Sequence, residues 1–253
     1  LGDVYKRQRE CDINSASTIT VKCDKAGRWF ISLLCESRVE EKPITGKTVG
    51  IDLGVKDAVV LSDGKKLNPD RRAQKKNEER IKRGQKALAR KQKDSKNWEK
   101  ARLKLSRAYA RYTDAKRDWL HKTTTYLVNT YDVLCIEDLN VSGMTRKVSG
   151  EGRSAKSGLN RSILSNNLSE LRFMLEYKSQ WYGKECVAID RFFPSSQRCS
   201  ECGYINQELT LNDRHWTCSE CGTHHDRDIN AAKNIKAAGL AVIACGDGAR
   251  LES

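Results

Sequence analysis

Two cysteine pairs constrain this chain more than any other stretch of it. Cys199-Ser200-Glu201-Cys202 and Cys218-Ser219-Glu220-Cys221 stand fifteen residues apart. Pairs spaced this way offer four thiolates that close a tetrahedral zinc site, and a site filled by four protein ligands has no open position for chemistry. The pattern predicts a zinc ribbon whose metal is structural, held by Cys199, Cys202, Cys218 and Cys221. Disulfides are the competing use, but a chain of 253 residues with no visible signal peptide lies outside the small secreted class that depends on them. Cys11, Cys23, Cys35, Cys135, Cys186 and Cys245 are scattered, several within apolar runs where Cys packs as a small hydrophobe. That usage points to a reducing compartment, and a cytoplasmic protein is expected.

The net charge is +14 and 32% of the residues are charged, so the natural partner of the chain is a polyanion. Between Lys65 and Lys122 there are 22 Lys and Arg against 7 Asp and Glu, a surplus slightly larger than that of the whole chain. The remainder is near neutral. Charge gathered in this way predicts a surface for nucleic-acid phosphates, since a merely solvated face mixes both signs. Trp98, Leu105, Tyr112 and Trp119 recur every seven residues, with Ala101, Ala108 and Ala115 three beyond the first three, which predicts a long amphipathic helix. Arg72 to Arg90, with Ile81 and Leu88 seven apart, is its expected partner helix, and Asp94 to Asn97 the turn. Lys75, Lys76, Arg83, Lys86, Arg90, Lys104, Arg107 and Arg111 on these helices, with Arg161 and Arg214 further along, are the expected nucleic-acid contacts. No lipidation motif and no apolar run of membrane-spanning length is visible, so no membrane partner is expected.

Taken in order, Leu1 to Gln8 fits no element and reads as translated adapter sequence. Thr18 to Leu34 reads as a β-hairpin turning at Asp24 to Gly27; a hairpin alone is marginal in water, so its domain is expected to be incomplete. Thr48 to Asp57 and Ala58 to Leu61 read as two strands joined by a tight turn, with Asp52 in apolar surroundings. A buried unpaired carboxylate is costly, so Asp52 is expected to hold a metal or meet a cation, the plainer use being a strand end facing solvent. Tyr131 to Asn140 is another apolar strand, ending in Glu137 and Asp138. Gly143 to Asn160 reads as a mobile loop, Ser162 to Tyr182 as one helix stopped by Gly183, and Cys186 to Ile189 as a strand. The last helix is expected from near Asp228 to near Gly239, with Asp228, Ala231, Ala232 and Ile235 on one face and Asp226 as its N-cap. His121, His215, His224 and His225 are expected in surface or packing roles, and the ribbon loop carrying Arg214, His215 and Trp216 against a nucleic-acid strand.

Asp52, Glu137 and Asp228 come from three separated elements. Mg²⁺ is a hard cation that sites hold with a few carboxylates plus phosphate oxygens, and two such ions ~4 Å apart serve an in-line phosphodiester displacement. Strand, strand and helix donors in this order suit an α/β fold of the RNase H-like class. Gly50-Ile51-Asp52-Leu53-Gly54, Ile136-Glu137-Asp138-Leu139, Asn160-Arg161-Ser162-Ile163, the paired CxxC motifs and Asp226-Arg227-Asp228-Ile229-Asn230-Ala231-Ala232-Lys233-Asn234-Ile235 together resemble the TnpB (OrfB) family of insertion sequences. The resemblance runs from about Thr18 to near the carboxyl terminus. It implies an RNA-guided DNA endonuclease with a RuvC-like nuclease domain, related to compact type V CRISPR effectors. The family's catalytic acids map onto Asp52, Glu137 and Asp228, which would bind Mg²⁺, and its zinc ligands onto the four cysteines. The implied partners are a guide RNA from the transposon end and target DNA. The implied domains are a β wedge remnant over 1–46, a nuclease domain over 47–198 with a helical insertion over 66–130, a zinc ribbon over 199–221, and a final helix and tail over 222–253. Two other readings stay open: a nucleic-acid-binding remnant without activity, and a DNA-joining transposase.

Overall fold

Alternating and continuous apolar runs become a five-stranded sheet in a computed structural model that describes residues 16–36, 39–146, 153–210 and 212–246. The amino-terminal adapter-like residues and Cys11 lie outside the described residues, as do the side chains of 153–155 and Arg161. Strand β3 (Thr48–Asp52) lies between β4 (Val59–Leu61), antiparallel to it, and β6 (Val133–Glu137), parallel to it. β5 (Lys66–Leu67) extends the β4 edge and β7 (Glu185–Ile189) the β6 edge, giving the order β5-β4-β3-β6-β7. The central strands are buried along most of their length, as expected for a sheet covered on both faces.

The chain divides into two compact units, residues 41–69 with 118–253, and residues 1–40 with 70–117. In the first of these, one face of the sheet packs Val49, Ile51, Leu61, Leu134 and Ile136 against Leu120, Leu127 and Val128 of the end of α2 (Lys96–Thr130) and against Leu168, Leu171 and Leu175 of α5 (Leu168–Trp181). The other face is covered by α6 (Arg227–Ala244), whose Ile235 meets Cys135 and Ile189. The predicted end of this helix near Gly239 is corrected: α6 continues to Ala244. Gly239 is there for close packing, because a Cβ on it would lie 2.4 Å from Cys135 Sγ.

The loop expected over Gly143 to Asn160 is corrected at both ends, its residues 147–152 lying outside the described residues. A short helix α3 (Val141–Met144) follows β6, capped by Asn140 Oδ1, which accepts from Gly143 N at 2.9 Å. Helix α4 (Arg153–Asn166) begins well before Ser162. Two side chains a turn apart tie it down, Lys156 Nζ donating to Met144 O at 2.7 Å and Asn160 Nδ2 to Thr145 O at 2.8 Å. The single helix expected over Ser162 to Tyr182 is broken at Asn167, whose left-handed φ of 51° separates α4 from α5. Asn tolerates that conformation where most residues do not.

In the other unit, β1 (Thr18–Cys23) and β2 (Trp29–Leu34) form the predicted hairpin. Asp24 holds its turn, accepting from Ala26 N and Arg28 N at 2.8 and 2.9 Å. Ile19, Val21, Trp29 and Ile31 are all exposed. Helix α1 (Arg71–Ala89) starts at Asp70, which caps Arg72 N and Ala73 N, and it packs on α2 so closely that a Cβ on Gly84 would meet Leu105 at 2.9 Å. Trp98, Ala101, Leu105, Ala108 and Tyr112 are half-buried as the heptad predicts, whereas Ala115 is exposed. Tyr112 donates to Glu78 Oε1 at 3.2 Å and Gln85 Nε2 to Tyr109 Oη at 2.7 Å, closing the helical pair. Among the described residues no helix is long and apolar enough to cross a membrane.

A candidate carboxylate site beside a four-cysteine centre

Period-two alternation along two parallel strands aims the carboxylates. In β3, Val49 and Ile51 enter the main core, so Gly50 and Asp52 face α6; in β6, Leu134 and Ile136 enter it, so Cys135 and Glu137 face α6. Ile51 pairs with Ile136, and the next residues, Asp52 and Glu137, are therefore neighbours at the carboxyl ends of adjacent strands. α6 lies against this face without a gap: a Cβ on Gly50 would sit 2.0 Å from Ala232 O. Asp228 is one helical turn before Ala232, which carries its carboxylate over the strand ends. Asp226 caps the helix as predicted, its Oδ1 accepting from Asp228 N at 3.0 Å and Ile229 N at 3.1 Å. Its Oδ2 accepts from Lys66 Nζ at 2.8 Å, so this acid is already engaged.

Burial, and then the charges of Glu137 and Asp228, push the Asp52 carboxyl up to about 8. Burial also raises Glu137, against the hydrogen bond it accepts from the Ser195 hydroxyl. Arg227 and Arg214 pull Asp52 back down, and Arg214 Nη1 lies 3.6 Å from Asp228 Oδ1. Burial and the neighbouring acids disfavour an ionised Asp52, and an all-oxygen donor set fits a hard divalent ion. Asp138 is excluded by the same alternation. It is turned away from Glu137 and held by Arg172 and Arg191, which keep its carboxyl below the usual range.

The four cysteines of the ribbon come together. One sulfur from each of Cys199, Cys202, Cys218 and Cys221 lies within 4.8 Å of all the others, with 3.6 Å between Cys199 and Cys221 and 3.5 Å between Cys202 and Cys218. Sulfurs about 2.3 Å from a tetrahedral metal stand at nearly this mutual spacing. The Thr223 hydroxyl, then its amide, hold the Cys221 thiol down at about 6. The hairpin whose turn carries the second cysteine pair, β8 (His215–Thr217) with β9 (His224–Asp226), leads straight into α6. His225 is buried, its ring 4.8 Å from that of Trp216 and its Nε2 3.1 Å from Cys199 Sγ, so it packs on the cluster.

Comparison with known proteins follows this geometry. Residues 31–148 match the family described as "Probable transposase" (OrfB_IS605), and residues 169–235 match the "Cas12f1-like, TNB domain" family. A Streptomyces pristinaespiralis protein named "Putative RNA-guided DNA endonuclease" is 48% identical over 235 residues, 92% of this chain. The chain belongs to the OrfB (TnpB) family. A second relative, "Putative RNA-guided DNA endonuclease InsQ" of Escherichia coli K12, is 40% identical over 91% of this chain. The chain spans 56% of the Streptomyces relative and 58% of InsQ. In fold it is similar to the Cas12f1 protein of a cryo-EM complex with sgRNA and target DNA, with a TM-score of 0.57 at 21% identity, over 87% of this chain and 45% of that one.

Of the expected OrfB nucleic-acid contacts, Lys75, Lys76, Arg83, Lys86, Arg90, Lys104, Arg107 and Arg111 are all exposed on α1 and α2 or the turn between them, and Arg107 Nε also donates to Ala26 O at 3.4 Å. Arg214 is exposed but leans toward Asp228. The Arg161 side chain lies outside the described residues. Trp216 is a correction: only 7% exposed, it forms the ribbon core with Cys199 and Cys218 and has no face to offer a strand. Sequence reasoning passed over Ser195, Asn230 and Asn234. The two asparagines, four apart on a helix face otherwise made of Ala and Ile, were a readable sign, because buried amides there need partners. Ser195, in a turn after Pro194, carries no such sign.

Proposed function

We propose that this chain is the nuclease-bearing part of an RNA-guided DNA endonuclease of an insertion sequence, hydrolysing phosphodiester bonds at a RuvC-type site. The observation that carries the proposal is that Asp52 and Glu137 end adjacent strands beneath the first turn of α6, where burial first, and then the charges of Glu137 and Asp228, raise the Asp52 carboxyl to about 8, an environment suited to a cation. A sheet with its first long strand central, two antiparallel strands on one side and two parallel ones on the other, supports an RNase H-like reading. The three carboxylates would hold Mg²⁺, as one or two ions. Magnesium bound there supplies a polarised water and offsets the charge that develops on the leaving oxygen. Asp52 and Glu137 are set by rigid strands and Asp228 by the capped turn of α6, so the donors are held without mobile loops. Arg214 and Arg227 place positive charge beside the acids, where a scissile phosphate needs it. The four cysteines would hold a structural zinc.

The exposed cations of α1 and α2 would lie along phosphates of a guide RNA, its DNA duplex or the displaced strand, with base pairing carrying target choice. The relatives' names support these partners, and the guide's origin at the transposon end follows from the family reading. The test is Mg²⁺-dependent cutting of DNA, by this chain on single strands and by the full-length parent with its guide RNA. Asp52→Asn, Glu137→Gln and Asp228→Asn should each abolish it while leaving nucleic-acid binding in place. Cutting that survives all three substitutions overturns the assignment.

A further inference from the structure

Glu137 differs from Asp52 and Asp228 in having a hydroxyl bound to it. Ser195 Oγ donates to Glu137 Oε1 at 2.5 Å, and Ser195 is 7% exposed. One carboxylate oxygen is thereby engaged by the protein, and Oε2 is the one left for a cation. Ser195 belongs to no helix or strand. It lies in the stretch that leaves β7 and enters the first cysteine pair, where a serine would be free to turn unless something held its backbone.

Its own turn holds it in part, Ser195 N donating to Phe193 O at 2.8 Å, and α6 holds it from the other side. Asn234 Nδ2 donates to Ser195 O at 2.8 Å and to Arg198 O at 2.6 Å. One turn earlier, Asn230 Nδ2 donates to Arg198 O at 2.7 Å, and Asn230 Oδ1 accepts from Ser200 N at 2.9 Å. Both asparagines are buried, at 4% and 1% exposure. A buried amide on an apolar helix face is destabilising unless bonded, and both are bonded to this one segment. The helix that carries Asp228 therefore grips the serine that touches Glu137.

We infer that Ser195 is a positioning residue for Glu137, fixing which carboxylate oxygen is presented to a divalent cation, and that Asn234 acts through Ser195 by anchoring its backbone to α6. The inference rests on the proposed reading of the three acids as a metal site, and it adds a required route between α6 and β6 that does not pass through the metal. Removing the hydroxyl leaves Glu137 free to turn; removing the Asn234 amide lets the hydroxyl drift.

The test is a Mn²⁺ titration of the zinc-loaded chain, read from the electron paramagnetic resonance of free Mn²⁺, which needs no catalysis. Ser195→Ala should weaken Mn²⁺ binding about tenfold, the range found when groups orienting metal ligands are removed. Ser195→Thr, which keeps the hydroxyl, should restore it, and thermal melting of both variants without Mn²⁺ should match the parent. Asn234→Ala should weaken Mn²⁺ binding to a similar degree, and the double variant should be no weaker than either single one, as for residues acting in series. Should Asn234→Ala fail to fold, the Ser195 pair decides alone. If Asp228→Ala loses Mn²⁺ while Ser195→Ala binds it like the parent, the positioning role is wrong and the metal site stands. If Asp228→Ala also binds normally, the metal reading falls and the inference with it.

Discussion

Asp52 shows how a single side chain can be held at odds with its surroundings. Its carboxyl is raised from the ordinary 3.8 to about 8, by burial first and by Glu137 and Asp228 next. The folded chain without Mg²⁺ thus keeps a proton that the unfolded chain releases. Stability from this proton is whole below 3.8 and is lost as pH rises through about 8. In Mg²⁺-free buffer with zinc retained, the melting temperature should therefore fall between about pH 6 and 8, a range in which thiolates keep their metal. Asp52→Asn should remove most of that slope. Added Mn²⁺ should reverse it, because the cation displaces the proton and binds more tightly as pH rises. A slope unchanged in Asp52→Asn would place the titrating group elsewhere. Two glycines show the opposite extreme, positions that require the absence of a side chain: Gly50 lets α6 rest on β3 at backbone distance, and Gly239 makes room for the Cys135 side chain of β6.

At the scale of elements, α1 and α2 carry most of the net positive charge of the chain. Ile81 is the one buried residue of α1, and the cations on both helices face outward. Lys75, Arg83, Lys86 and Arg90 changed together to Gln should leave the melting temperature nearly unchanged, since each is exposed. They should lower nucleic-acid affinity and flatten its salt dependence, by roughly 1 in the log-log slope for each phosphate that is no longer neutralised. Filter binding over a salt series measures both. Affinity that drops without a change in slope would mean that these residues do not meet phosphates. The heptad made this pair readable in advance because helix periodicity is a local property. The early start of α4 was not, because it depends on Lys156 and Asn160 reaching carbonyls at the end of α3, nor was the break at Asn167, beside which Asn166 Nδ2 reaches the carbonyls of Gly54 and Val55.

At the scale of the molecule, the cysteine cluster, the segment 195–200 and α6 form one connected piece. Cys218→Ser should abolish stoichiometric zinc, measured by metal analysis, and lower apparent stability by on the order of several kcal/mol, since binding energy at such sites is folding energy. Hydrogen exchange should rise in 195–226 and in the first turns of α6, while the sheet core stays protected. Exchange confined to the ribbon hairpin would show that the Asn230 and Asn234 contacts do not transmit the loss.

The chain's own order of residues pointed to the four cysteines and the Asp226 cap through spacing within a few residues, which a sequence carries openly, and to the three acids through their resemblance to a family motif. It also marked the charge-rich helical pair. The tertiary structure alone supplied the reason that Glu137 and not Asp138 stands beside Asp52, a parallel register between strands 85 residues apart. It decided that Gly239 is a packing surface and not a helix end, that Trp216 fills the ribbon core, and that Ser195 touches Glu137. These outcomes depend on which distant segment comes to lie opposite, and local periodicity is silent about that.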